Sequence, residues 1–166
     1  MDNTNNCPIK GCFAKWIITS IPVFIFLVVA GYVVHHLWLK PLYEQTASLW
    51  RPMDEMKELF PLLLAYYAAL SLLITALFCK IKKAKMEACA ATGTDCKIGG
   101  PNCPIKCGVC FGIIVGLLLG VSNAACYIWM PIPSELAIKW LLAWVGEGIG
   151  IGIILGLVCH KKGGAA

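Results

Sequence analysis

The residues with the most chemistry in this chain are its thiols. Of ten cysteines, Cys7 and Cys12 stand in C-x4-C spacing, and Cys103, Cys107 and Cys110 in C-x3-C-x2-C. Thiolates in such groups hold Zn²⁺ or an iron–sulfur cluster, and they take a soft ion such as Cu(I) in transit. If the two segments met, Cys7, Cys12, Cys103 and Cys107 would supply the four ligands of a closed site. The plainer explanation is a set of thiols packed at a membrane border. A second candidate is Glu147, set between Gly146 and Gly148 in an apolar run. A carboxylate at bilayer depth costs on the order of 2–3 kcal/mol. It must therefore be protonated, hydrogen-bonded or facing a wet cavity. That makes Glu147 a candidate proton or cation site. The plainer explanation is a neutral structural group bonded to Tyr66, Tyr67 or Asn123. His35 and His36 are neighbours and cannot point the same way on one helix. One of them could ligate haem or a metal, or both could sit at the membrane interface. No nucleophile–base set, phosphate loop or dinucleotide fingerprint is visible, so an enzyme acting alone is not expected.

The elements that must position these groups follow from composition. Hydrophobic residues make up 59% of the chain and charged residues 14%, far from a soluble balance. The apolar residues fall in four blocks, about 13–39, 59–78, 108–130 and 136–159. Each is long enough to span a bilayer. Lipid leaves short separate segments no way to satisfy backbone groups except as helices. The expected fold is all-α and polytopic, with four transmembrane helices. The first block is too long for a cleavable signal peptide and follows a polar, acid-containing tail.

The chain also repeats itself. Asn6-Cys7-Pro8-Ile9-Lys10 recurs as Asn102-Cys103-Pro104-Ile105-Lys106, each copy leading into a long apolar block. This predicts two parallel helical-hairpin repeats: residues 1–80, a Cys- and Lys-rich linker over 81–101, and residues 102–166. Copies that cross an even number of times share an orientation and are related by an axis along the membrane normal. Of the 14 Lys and Arg residues, ten fall at the two termini and in the middle loop, and four on the other side. The positive-inside rule then places both termini and the middle loop in the cytoplasm. There disulfides are disfavoured. The basic residues lack interleaved aromatics, so no nucleic-acid partner is expected, and lysines 80–85 suit anionic headgroups.

Two further patterns concern packing. Residues 40–58 carry apolar side chains at three- and four-residue spacing, which predicts a short amphipathic helix on the membrane surface, interrupted at Pro52. Trp129, Trp140 and Trp144 fit an aromatic belt, and Ser134 fits an N-cap for the last helix. Gly108, Gly112, Gly116 and Gly120 recur every fourth residue, and Gly148, Gly152 and Gly156 repeat the step. Small residues on one helix face let backbones approach closely. The expectation is a tight hairpin between spans three and four. An oligomer interface or a pore wall is the alternative.

Pro41-Leu42-Tyr43, Leu49-Trp50-Arg51-Pro52, the glycine series from Gly108 to Gly120, and Trp140 with Glu147 resemble small bacterial tetraspan membrane proteins of unknown function. The resemblance covers most of the spans and implies a bacterial inner-membrane location but no particular activity. The cysteine-rich linker and the two Cys-Pro-Ile-Lys segments are outside that pattern. The four spans and the late Glu also resemble the duplicated proteolipids of rotary ATPases. Here, however, the glycine series lies in span three, the outer loop is long and the middle loop is cysteine-rich. The leading expectation is a non-catalytic accessory or scaffolding subunit, in a homo-oligomer or a larger membrane complex. Its alternatives are a small ion, proton or soft-metal carrier using Glu147 and the thiols, and a metal- or cluster-bearing redox subunit.

Overall fold

The computed structural model describes residues 9–92 and 103–160 of the chain. Among these residues every long element is a helix and there is no strand. Four helices are long and apolar enough to cross a membrane, over Trp16–Trp38, Phe60–Lys85, Ile105–Ile128 and Ser134–Val158.

Helix α1 (Ile9–Tyr32) runs into a π-helical turn (Val33–Trp38). Pro22 lies inside α1 and removes one backbone hydrogen bond, a loss that membrane helices tolerate. Leu39 closes the π turn by donating its N–H to the Val34 carbonyl at 2.9 Å. Pro41 then sits in the first turn of α2 (Lys40–Gln45), where its missing N–H costs nothing. A 3₁₀ turn (Ala47–Leu49) and α3 (Met53–Glu58) follow. The surface helix expected over 40–58 is therefore two short helices. Pro52 cannot continue a helix from Trp50, whose backbone is extended.

Helix α4 (Phe60–Thr92) is the longest, at 33 residues. At about 1.5 Å per residue it exceeds a bilayer core. It continues through the first residues of the linker because lysine, alanine and glutamate there are strong helix formers, with Lys83 paired to Glu87 at 3.7 Å. Helix α5 (Cys103–Ala124) ends in a 3₁₀ turn (Ala125–Ile128), and α6 (Ser134–His160) completes the fold. The Pro133 carbonyl accepts from the N–H groups of Leu136 and Ala137. Pro133 thus holds the N-cap position expected for Ser134, one residue earlier.

Helix α1 packs on α4 and α6, and α6 packs on α5. All four meet in one core built from Val23, Leu27, Ile74, Phe78, Phe111, Val115, Ile151 and Leu155. Phe78 and Phe111 close the ring of helices with centroids 5.1 Å apart. A second cluster caps the bundle where the connectors lie, joining Leu39 and Leu42 to Ile132, Leu136 and Ala137. This connector end contrasts with the terminal end, where α1 and α5 begin. Only 22–33% of each span is buried inside the chain. Outward rows such as Ile18, Ile21, Ile25 and Val29 on α1 and Ile114, Leu118 and Val121 on α5 are exposed and suit contact with lipid tails.

Helices α5 and α6 touch through backbone. A Cβ added at Gly112 would run into the Gly148 carbonyl, and one at Gly148 into the Gly112 carbonyl. Gly108 and Gly152 make the same reciprocal pair, with the Gly156 nitrogen 3.2 Å from the added carbon at Gly108. Further along, an added Cβ at Gly116 would lie 2.9 Å from Val145 Cα, and one at Gly120 would lie 3.0 Å from the Leu141 carbonyl oxygen. Close backbones of this kind are held by dispersion and weak Cα–H···O contacts. The glycine series thus meets its partner within the chain.

Candidate functional site: a polar pocket near the connector end

Helix α6 carries two different faces. Gly148 and Gly152 turn toward α5, while Trp140, Ala143, Trp144 and Glu147 follow one another at helical spacing and turn toward the first hairpin. These four residues line a cavity of about 20 Å³ with Val34 and His35 of the π turn and Tyr67 of α4. That volume holds about one water molecule. Glu147 is buried, with 8% of its surface exposed. Among the described residues no donor lies within hydrogen-bond reach of its carboxylate. Tyr66 and Tyr67 are near enough to interact with it electrostatically, and Tyr67 packs its hydroxyl against Gly31. Asn123 instead donates to the Leu119 carbonyl at 3.0 Å. The hydrogen-bonded partners considered for Glu147 are therefore not bonded to it here.

The pocket opens toward a chain of polar contacts at the connector end. Trp140 Nε1–H donates to the Tyr43 hydroxyl oxygen at 2.9 Å. The same hydroxyl meets His35 Nδ1 at 2.7 Å. Indole N–H only donates, so the Tyr43 hydrogen is available to His35 Nδ1. The Trp50 ring sets its edge against both Tyr43, at 5.2 Å and 82°, and Trp140, at 6.2 Å and 65°. Trp50 is itself anchored by its Nε1–H on Thr46 Oγ1 at 2.9 Å. Burial pushes the Tyr43 hydroxyl above the ordinary tyrosine range, and the bond from Trp140 acts in the opposite direction.

The π turn places the two histidines apart. His35 faces Tyr43 and the cavity, while the His36 ring lies 5.0 Å from that of Tyr32. Single π turns inside helices are frequent at functional sites. Nearby, Lys139 reaches Glu135 at 2.8 Å and lies 6.0 Å from the Trp38 ring. Trp140 and Trp144, expected in an outer belt, instead turn inward on the face they share with Glu147; Trp129 is the exposed member, at 71%.

The described members of the two cysteine groups do not line this pocket. Cys110 on α5 is exposed and Cys107 half-buried. Cys12 and Cys103 belong to the first turns of α1 and α5, but their side chains lie outside those described, and Cys7 lies outside the described residues. Among the described residues, no three or more His, Cys, Asp or Glu side chains are grouped to hold a metal ion.

Two roles in the pocket are not predicted from the sequence, although both residues are named there: the Tyr43 hydroxyl as the partner of His35, and Trp140 turned inward. The signal existed for one of them, because Trp140, Ala143, Trp144 and Glu147 share a helix face by spacing alone. Tyr43 is brought in by the fold of the connector. Four membrane-length apolar helices make this chain a multi-pass membrane protein. Compared with protein-family models, curated proteins and solved structures, it matches none.

Proposed function

We propose that this chain is a small membrane carrier that binds protons at Glu147 and does not act as an enzyme. The observation supporting this is a buried carboxylate, deep in a span, facing a water-sized cavity and lacking a hydrogen-bond donor among the described residues. Ionisable groups placed so in a membrane are costly and mark ion or proton pathways. The excess of lysine at the terminal end supports an orientation with both termini in the cytoplasm. The family resemblance supports a bacterial inner membrane, and the repeated Asn-Cys-Pro-Ile-Lys supports an origin as two hairpin repeats. The test is proton flux into proteoliposomes carrying a trapped pH dye, driven by a potassium diffusion potential. Wild type is expected to acidify the lumen and Glu147→Gln to lose that flux while keeping its thermal stability in detergent. Equal flux from both would overturn the reading.

A second reading, an accessory subunit in a homo-oligomer or larger complex, is favoured by the broad apolar flank of α1. The glycine faces of α5 and α6 are occupied by each other, so a partner would sit on another face, such as the outward row of α1. Purification in mild detergent tests it: a stoichiometric partner lost on Ile25→Trp supports this reading, and a monomer opposes it. The third reading, a zinc or iron–sulfur subunit built on Cys7, Cys12, Cys103, Cys107 and Cys110, is tested by metal analysis with Cys103→Ser and Cys107→Ser controls.

A further inference from the structure

We propose that protons reach Glu147 from the connector end through His35, with Tyr43 as the donor to His35 and Trp140 as the positioning residue that holds Tyr43. This rests on the reading of Glu147 as a proton site and adds to it the route.

The lining of the cavity argues for protons over metal ions. A hard cation takes six or more oxygen ligands, and the wall offers one carboxylate and the Tyr67 hydroxyl among indole, imidazole and apolar groups. A soft ion needs thiolate or thioether sulfur, and no cysteine or methionine lines this space. One water and one carboxylate suffice for a proton.

The route follows from exposure and donor chemistry. His35 is exposed on one side and lines the cavity on the other, whereas Glu147 is buried. With Trp140 donating to the Tyr43 oxygen, the Tyr43 hydrogen points to His35 Nδ1. The neutral ring then carries its hydrogen on Nε2, which has no bonded partner among the described residues. In the transfer, the Tyr43 oxygen takes a proton from a hydronium ion at the connector end, leaving water, as its own hydrogen passes to Nδ1, giving an imidazolium. The Nε2 hydrogen passes to the cavity water, and that water gives a proton to the Glu147 carboxylate. Tyr43 and His35 end neutral and Glu147 has gained one proton. His35 is left with its hydrogen on Nδ1, donating to Tyr43, and the starting tautomer returns by proton exchange with water on the exposed side of the ring, one proton leaving Nδ1 and one joining Nε2. The 2.7 Å contact is satisfied in every state because the hydroxyl both donates and accepts.

The experiment is the same flux assay with full-length protein. Tyr43→Phe keeps the ring and its packing on Trp50 but removes the hydroxyl, and His35→Ala removes the imidazole. Each is expected to reduce flux on the order of 10²-fold, the size of a lost acid–base group. Imidazole in the bath should restore His35→Ala but not Glu147→Gln. His36→Phe, whose ring faces Tyr32, should leave flux unchanged. Wild-type flux from Tyr43→Phe and His35→Ala, with Glu147→Gln inactive, would overturn the route and leave the proton site standing. A loss at His35→Ala that imidazole cannot restore would make His35 structural and also overturn the route. Equal flux from wild type and Glu147→Gln overturns site and route together.

Discussion

Where α5 meets α6, backbone touches backbone; where α1 meets α4, side chains stand between. The second hairpin has a short Pro-Ile-Pro turn and reciprocal glycine contacts. The first has a long connector, a π turn and a seam of small hydroxyls: Thr19, Ser20, Ser71 and Thr75 are all buried. Ser20 and Ser71 return their hydrogens to their own helices, at 2.7 and 2.8 Å. Trp16 Nε1–H crosses to the Leu72 carbonyl at 3.0 Å. The two pairs of helices thus use different physics. Backbone contact in lipid gains dispersion over a wide face and fixes one register. Side-chain contact leaves room for polar groups, and the pocket lies between the rigid hairpin and the looser one.

The sharpest way to break this contrast is to make one substitution in both hairpins. Gly112→Ala places a methyl against a backbone carbonyl that cannot move without its helix, and should cost roughly 3 kcal/mol, the upper range of overpacking. Gly31→Ala meets only the end of the Tyr67 side chain, its hydroxyl nearest and its Cζ at 3.1 Å, which can swing aside, and should cost about 1 kcal/mol, the lower end of overpacking. Unfolding in denaturing detergent measures both; equal costs would erase the distinction. A smaller effect is expected for Trp140→Phe, which removes the donor to Tyr43 and loosens the cap joining the hairpins. A loss of about 1 kcal/mol is expected, the size of one hydrogen bond, and it should vanish when measured on a Tyr43→Phe background.

Thr75 sharpens the account of the first hairpin. Its hydroxyl is fully buried and has no hydrogen-bond partner among the described residues. Thr75→Val keeps the shape and removes the unsatisfied group, so stability should rise by about 1 kcal/mol. A fall would mean that the hydroxyl has a bonded partner such as buried water. The smallest effect belongs to Gly146→Ala. Nothing lies within 4 Å of the added methyl, so only the helix propensity changes, a gain of up to about 1 kcal/mol. A large loss there would show that α6 has a neighbour on that side, which is what an oligomer would supply.

The four spans, their approximate limits and the cost of Glu147 were legible from the order of residues. Lipid removes the alternatives: an apolar stretch of sufficient length must be a helix, and a carboxylate within it needs a reason. The glycine spacing likewise marked a face that admits a close neighbour. It did not say which helix would fill that face, because four-residue spacing is the same for a neighbour within the chain or beyond it. Nor did adjacency say what His35 and His36 would meet. The π turn and the return of the chain through Leu39 and Pro41 set Tyr43 beside one and leave Tyr32 beside the other. The Tyr43–Trp140 bond joins residues 97 apart in sequence, and no local pattern encodes a contact at that separation. Hydropathy and spacing are local properties and determined the helices. The pocket depends on which faces meet, and packing across both hairpins decided that.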